Sequence, residues 1–282
     1  MTAPLGLAAP SRRARSWTLT AGLLLVGLHL GAALLTLVWM PFDPAEMAGR
    51  RLEAPSLVHW AGTDRLGRDL FSQIMVGSRI ALLVGIGAVA IGACLGGLLG
   101  ILAAFATRWL DDALAAALDI LIAFPVLLIA MLVVAASESA SLWTAILALG
   151  LGLSPVVARL TRILAKRVLL MDFITAARTS GTSWPGIVAT HVLPNIWPQL
   201  SVNLALQFGL AVIAEASLSY LGLGSPPPNA SWGRLLQEAQ GTVFTAPVGA
   251  IAPGLALLTL AIGINLLADG LRERSDPAGD RR

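Results

Sequence analysis

Long apolar runs alternate with short polar segments along the whole chain. Six of these runs are long enough to cross a bilayer, because about 20 apolar residues in a helix span the hydrocarbon core. They cover residues 17–40, 80–106, 114–135, 142–164, 198–223 and 247–268. The pattern predicts an all-α, polytopic membrane protein with six transmembrane helices.

Composition supports the membrane class and excludes several functions. Of the 282 residues, 56% are hydrophobic and 12% are charged, which is about half the charged share of a soluble domain. The single cysteine, Cys94, lies inside an apolar run, and the three histidines are far apart, so we expect no disulfide, metal site or cofactor. Basic residues stand beside the apolar runs rather than on a separate stripe, which argues against nucleic-acid binding.

The apolar runs divide the chain into five parts. We assign residues 1–16 to a tail, 17–40 to the first span, 41–78 to a polar external segment, 79–268 to five further spans with a loop at 165–197, and 269–282 to a second tail. The basic start followed by an apolar run resembles a signal peptide. The run is too long for one and no small-residue cleavage site follows, so we expect a retained span.

The distribution of lysine and arginine orients the chain in the membrane. Six spans place both termini on one side, together with the loop at 165–197. Thirteen basic residues lie on that side and six lie on the other. Because cytoplasmic segments carry the excess of basic residues, we predict cytoplasmic termini and a cytoplasmic loop, in a bacterial inner or plasma membrane.

Glycine and proline positions suggest how the spans pack. Gly92, Gly96 and Gly100 recur every four residues in the second span, so they form a flat strip that another helix can approach closely. The partner is either a helix of the same chain or a second subunit. In the third span, Phe124 and Pro125 predict a kink.

Three polar residues of the fifth span are candidates for the lining of a translocation path. At about 100° per residue, Asn203, Gln207 and Glu215 fall within one broad sector of the helix, and such a sector faces a bundle interior or a cavity. For Glu215 we favour the alternative of an ion pair with Arg79 at the outer end of the second span.

The segment from Asp172 to Asn195 is the longest polar interruption in the second half of the chain. Gly181 breaks a first helix, and Thr182 or Ser183 can cap a second helix that ends before Leu193. We predict a helix–turn–helix that is a docking surface for a soluble partner. No phosphate-binding loop is present, because the only lysine, Lys166, follows Ala165. Uphill transport would therefore use ion coupling or a partner ATPase, and we expect a transport subunit without catalytic residues.

The same segment carries a resemblance to a known family. AARTSG at 176–181, followed after nine residues by HVLP at 191–194, resembles the cytoplasmic loop of permeases in binding-protein-dependent ABC importers of the dipeptide, oligopeptide and nickel class. Four further segments resemble that class in the same order, and the similarity extends over about 57–277. They are GTDRLGRDLFSQIMVGSR, LDILIAFPVLLIA, EASLSYLGLG with the later Trp232–Gly233, and APGLALLTLAIGINLLADGLRERSDP. The chain looks like the second permease of such a pair.

The resemblance implies a type I ABC importer permease architecture and a set of partners. These are a second homologous permease, two cytoplasmic ABC ATPase subunits and an external solute-binding protein, and the solute is a peptide or a related small molecule such as nickel. Thr175 stands where the family usually has glutamate. The residues implied for ATPase coupling are Thr175, Ala176, Ala177, Arg178, Gly181, His191, Leu193 and Pro194.

Two further interpretations stay open on the sequence. Asp64, Arg68, Asp69 and Trp232 are candidates for contact with the binding protein, although for the first three we favour a local ion-pair cluster. The alternative function is an ion-coupled secondary transporter that acts without ATPase subunits. Broken helices are typical of that class, and Pro125 and Pro155 are weak indications of them.

Overall fold

The computed structural model describes residues 17–137, 141–224 and 230–275. Within them the chain is helical, with ten α-helices, one π-helical segment and one short 3-10 turn. The α-helices are α1 (Trp17–Leu35), α2 (Leu70–Phe105), α3 (Arg108–Ala123), α4 (Val126–Ala136), α5 (Leu142–Leu169), α6 (Asp172–Thr179), α7 (Trp184–Ile187), α8 (Leu193–Tyr220), α9 (Trp232–Ala239) and α10 (Val248–Ser275). The predicted tail 1–16 and the second half of the predicted tail 269–282 lie outside the described residues.

Five uninterrupted helices are long and apolar enough to cross a membrane. They are α1, α2, α5, the continuous helix from Trp184 to Tyr220, and α10. The helices α3 and α4 add a sixth span if the pair, which is bent by 87°, is counted as one. The prediction of an all-α, polytopic membrane protein is confirmed, and the third span is the one that departs from a simple rod.

The second span begins ten residues earlier than its apolar run. The carboxylate of Asp69 accepts a hydrogen bond from the backbone N–H of Ser72 at 2.7 Å and so caps α2. At 1.5 Å per residue, the 36 residues of α2 extend about 54 Å, well beyond the hydrocarbon thickness of about 30 Å. Residues 70–78, which the sequence assigned to the polar external segment, are therefore the first turns of α2.

The glycine strip of α2 packs against α5 of the same chain. A Cβ atom at Gly96 would lie 2.5 Å from the carbonyl oxygen of Ser154, and one at Gly100 would lie 2.5 Å from that of Ala158. Gly92 faces Leu153 in the same way. The sequence left open whether this strip contacts a helix of the same chain or a second subunit. The structure shows contact within the chain, and α2 and α5 form the most extensive helix pair of the bundle.

Proline has opposite effects in the third and fourth spans. Phe124 is extended, with φ −81° and ψ 132°, and ends α3, because the proline ring disfavours helical geometry for the residue before it. The chain therefore breaks completely there, where the sequence predicted a kink. Pro155, by contrast, lies inside the uninterrupted helix α5. The stretch from Thr107 to Asp112, which reads as a polar turn, caps and starts α3.

Two apolar clusters hold the bundle together, and a third lies beside the loop. The first joins α2, α4, α5 and α8, and includes Val84, Leu149 and Leu218. The second joins α1, α2, α8, α9 and α10 around the buried ring of Trp232. The third joins the C-terminal end of α5 to α6, α7 and the start of α8. The α2–α5 pair thus connects the polar loop at one end of the bundle to the external segment at the other.

We predict that Gly96→Ala destabilises the protein, whereas Gly97→Ala does not. A methyl group at Gly96 would collide with the backbone of α5, while one at Gly97 has no other atom within 4 Å. Overpacking of this kind costs about 1–3 kcal/mol, so the melting temperature of the detergent-purified Gly96 variant should fall by several degrees. Equal melting temperatures for the two variants would contradict the close α2–α5 contact.

Candidate functional site

The predicted docking segment folds as a helix, a glycine turn and a second helix start. Gly181 has φ +86°. The N–H of Thr182 donates to the carbonyl of Ala177 and that of Gly181 to the carbonyl of Arg178, both at 3.0 Å. This is the hydrogen-bond pattern of a Schellman motif, which requires a residue with positive φ at this position. Ser183 then caps α7 with its hydroxyl oxygen, in agreement with the sequence prediction.

The second helix does not end before Leu193, which corrects the sequence prediction. The residues Val188–Val192 form a π-helical segment that leads directly into α8, and the N–H of Leu193 donates to the carbonyl of Val188. Pro194 has no N–H to offer the helical ladder, and a π turn accommodates such an interruption without ending the helix. Pro194 therefore neither ends a helix nor marks a loop, and α7 is a rigid extension of the fifth span.

Apolar and aromatic contacts fix the docking segment to the bundle. Ile174 and Ile187 are buried in the cluster that includes the last turns of α5. The ring of Trp184 meets the ring of Phe105, at the end of α2, edge to face with 5.0 Å between centroids. The guanidinium of Arg178 lies 4.0 Å from the centre of the Trp184 ring, a cation–π contact. Motion of the segment must therefore carry the ends of α2, α5 and α8 with it.

The side of the segment that faces away from the bundle is open. Six of the eight residues implied for coupling are exposed, namely Thr175, Ala176, Arg178, Gly181, Leu193 and Pro194, while Ala177 and His191 are half-buried. A mixed surface of small, apolar and basic side chains on a rigid helix suits docking of a folded partner.

The three polar residues of the fifth span face neighbouring helices. Gln207 and Glu215 are each 3% exposed, and the carboxylate of Glu215 accepts a hydrogen bond from the hydroxyl of Ser219 at 2.7 Å. Arg79 is exposed and makes no ion pair with Glu215, so that predicted pair is wrong. The Asn203 carbonyl oxygen is buried without a hydrogen-bond partner in the described part of the chain. Lining of the translocation path by these three residues stays a prediction.

The exposed face of α8 is apolar. Leu206, Leu210, Ile213 and Tyr220 are each 38% or more exposed, and their spacing of three, four and seven residues places them on one side of the helix. Sequence reasoning missed this face because it searched the fifth span for polar residues. In a membrane helix, such a face contacts lipid or another subunit.

Three of the four candidates for binding-protein contact are buried, and Arg68 is half-buried. Arg68 lies between two carboxylates, with 2.6 Å to Asp64 and 2.6 Å to Glu238 on α9. Asp69 caps α2 and also lies 2.9 Å from the Nδ1 atom of His59. Asp64 and Arg68 thus form the ion pair that we favoured, whereas Asp69 pairs with His59 instead. We call Asp64, Arg68, Asp69, His59 and Glu238 the outer cluster.

Trp232 belongs to the same internal framework. Its ring is 1% exposed, its indole N–H donates to the carbonyl of Ile74 at 3.0 Å, and it meets the ring of His29 edge to face at 5.3 Å. Neither Trp232 nor Asp69, which is also 1% exposed, can present its side chain to an external protein in this conformation. These two side chains instead stabilise the packing of the helices and loops at this end of the bundle.

Sequence reasoning missed a second charged group, at the end of the bundle that carries the docking segment. Asp111, near the start of α3, accepts hydrogen bonds from Arg162 and Lys166 of α5. Arg159 lies 3.1 Å from Asp119. The signal was present in the sequence, because 159, 162 and 166 are spaced to share one face of a helix. In the sequence, these basic residues entered only the count that predicts the orientation of the chain in the membrane.

Comparison with known proteins places the chain in a family. Residues 96–279 match the family described as "Binding-protein-dependent transport system inner membrane component". The glutathione transport system permease protein GsiD of Pectobacterium atrosepticum is 38% identical over 240 residues, covering 84% of this chain and 79% of GsiD. The dipeptide transport system permease protein DppC of Alkalihalophilus pseudofirmus is 36% identical over 227 residues, covering 80% and 74%.

A solved structure shows the same fold. A chain of the MetNI methionine ABC transporter, in its inward-facing conformations, superposes with a TM-score of 0.60 and 20% sequence identity. The superposition covers 72% of this chain and 96% of the MetNI chain. The arrangement of helices is thus that of a known ABC transporter membrane subunit.

We predict that Arg68→Leu destabilises the outer end of the bundle more than Arg65→Leu. Arg68 joins Asp64 to Glu238, whereas Arg65 is exposed and is held only through its backbone carbonyl. Breaking a fully buried pair costs about 3–5 kcal/mol. Because Glu238 keeps its contact with Arg234, we expect about 2 kcal/mol here, measured as a lower melting temperature. Equal melting of the two variants would contradict a structural role for the outer cluster.

Proposed function

The chain belongs to the family of binding-protein-dependent transport system inner membrane components, and on that premise we propose how it works and what it carries. It is the membrane-spanning permease subunit of an ABC importer. With a second permease it forms the translocation path for small peptides or a related solute. Two ATPase subunits drive it from the cytoplasm through the docking segment, and an external solute-binding protein delivers the solute.

One observation carries the coupling role. The segment from α6 to α7 exposes most of the residues implied for coupling while its buried side is packed on the ends of three membrane helices. A partner that moves this segment therefore moves the spans, since α7 continues without a break into α8. A flexible loop at this point would absorb the movement of the partner and transmit nothing.

The absence of a phosphate-binding motif in the sequence supports separate ATPase subunits. The only lysine, Lys166, is engaged with Asp111, and no Gly-Lys-Ser/Thr stretch occurs in the sequence. ATP and loaded binding protein can shift the bundle between inward-facing and outward-facing forms only by binding the two forms with different affinity. The partner ATPase would shift that equilibrium through its contact with the docking segment, in a direction that depends on the nucleotide it has bound.

The solute class is inferred from the relatives. Those most similar over most of their length are named for glutathione, dipeptide and peptide transport. Glutathione is itself a small peptide, so a short peptide is the chemical class that these names share.

Purification of the intact complex tests the proposal. A tag on this chain, expressed with its genomic neighbours, should recover a second permease and ATPase subunits in a ratio of one permease of each kind to two ATPases. Proteoliposomes with this complex should take up a labelled dipeptide or glutathione only with binding protein outside and ATP inside. Uptake by the chain alone under an ion gradient would overturn the proposal and favour a secondary transporter.

We predict that Gly181→Val uncouples the docking segment from its partner without disturbing membrane insertion. The φ of +86° at Gly181 costs an ordinary residue about 1–2 kcal/mol, and no atom lies near enough to clash with a side chain, so the damage is confined to the turn. Recovery of ATPase subunits with the tagged chain should fall severalfold. Ser180→Ala, in the adjacent non-glycine position, is the matched control and should recover them normally.

A further inference from the structure

A single carboxylate joins two membrane helices beside the docking segment. Asp111 in the first turn of α3 is 5% exposed. Its two oxygens accept from the Nε and Nη2 atoms of Arg162 at 2.6 and 2.8 Å. Its Oδ2 atom also accepts from Lys166. A bidentate arginine with a second cation is among the strongest polar contacts that a side chain makes.

The position of this contact along α5 matters. Lys166 lies in the last turn of α5, and α6 begins at Asp172 after a short turn. The apolar neighbours of Lys166, among them Ala165 and Val168, belong to the same buried cluster as Ile174 of α6. The carboxylate of Asp111 is therefore bonded to the same two turns of α5 on which the docking segment rests.

At its other end, α3 reaches the break at Phe124 and Pro125. There the chain turns by 87° into α4, which packs on the first half of α5 through Ala130 and Val134. Along its length α3 makes few contacts with the rest of the bundle apart from α5. A second ion pair, Asp119 with Arg159, is more than half exposed, and exposed pairs are worth little. Asp111 is therefore the main polar fixation of α3.

We propose that Asp111 is a positioning residue for transport: through Arg162 and Lys166 it makes α3 move with the docking segment. The broken third span is then a second moving element beside the α7–α8 helix, with the break at Phe124–Pro125 as its hinge. This role rests on the proposed coupling function of α6 and α7. Arg162 and Lys166 would then take part in conformational change, in addition to belonging to the basic residues that orient the chain in the membrane.

Distances between spin labels on α3, α6 and α9 test this directly. The only cysteine, Cys94, is first replaced by serine. One doubly labelled complex carries cysteines at the exposed positions 116 on α3 and 237 on α9, and another carries them at 179 on α6 and 237. Pulsed electron paramagnetic resonance then compares the nucleotide-free complex with the complex trapped by ATP and vanadate. In the otherwise unchanged protein, both distances should shift by about 2 Å or more, the scale of helix shifts in such transitions.

The Asp111→Asn variant separates positioning from simple stability. Asparagine keeps the size of the side chain and removes the charge that holds Arg162 and Lys166. We expect the 179–237 distance to shift as before and the 116–237 distance to stay fixed. Asp112→Asn, a neighbouring exposed carboxylate, is the matched control and should leave both shifts intact, and Asp111→Glu should restore the shift of α3.

Other outcomes overturn the proposal in distinguishable ways. If α3 shifts in Asp111→Asn as in the parent, or shifts in neither, Asp111 does not position it. If the 179–237 distance fails to shift in the parent complex, the proposed coupling function of the docking segment falls as well. Should Asp111→Asn not assemble, Lys166→Met removes one cation while leaving the Arg162 contact, and it should reduce the shift of α3 to an intermediate value. An unchanged shift there would count against the proposal.

Discussion

The close contact between α2 and α5 is the constraint on which the rest of the structure depends. In a bilayer the hydrophobic effect gives no reason for two helices to associate, because lipid tails are as apolar as the side chains. Three glycines on α2 bring its backbone within contact of α5, where van der Waals packing alone can hold the pair. The other elements described here are attached to this pair. The helix α6 follows the end of α5, α3 follows α2 and is bonded to α5 through Asp111, and the outer cluster lies at the start of α2.

This arrangement explains why the docking segment can be both exposed and rigid. A polar loop between two spans would normally be mobile, but here α6 rests on α5 and α7 is the first turn of the fifth span. The π-helical segment before Pro194 preserves that continuity where a proline would otherwise break it. Between the two helices, the chain turns at Gly181 through a hydrogen-bonded Schellman motif, so the whole segment is fixed to the bundle.

Features that depend on neighbouring residues were predicted from the sequence more completely than features that depend on residues far apart in the chain. The helix break at Gly181, the cap at Ser183 and the glycine strip follow from the chemistry of one residue or one helix face, and all three are present. The end of a helix at Leu193 and the Glu215–Arg79 pair were wrong, because they depend on how neighbouring turns and helices relax around a residue. The Asp111 contacts join residues more than fifty positions apart, and no pattern within either helix specifies the other. Sequence similarity identified the family, yet it could not tell a buried support such as Trp232 from a surface residue.

The polar groups of this chain are used mainly to hold its own helices. Asp64, Arg68 and Asp69 brace the external segment, His29 and Trp232 join α1, α2, α9 and α10, and Glu215 bonds within α8. Burial of a charge or an amide in a membrane protein is costly unless the group is partnered. These side chains have their partners within the chain itself. What α8 leaves exposed in its apolar span is a row of large apolar side chains, the kind of face that contacts lipid or another subunit. The polar groups therefore stabilise the chain from within, while its exposed apolar helix faces remain available for lipid or a neighbouring subunit.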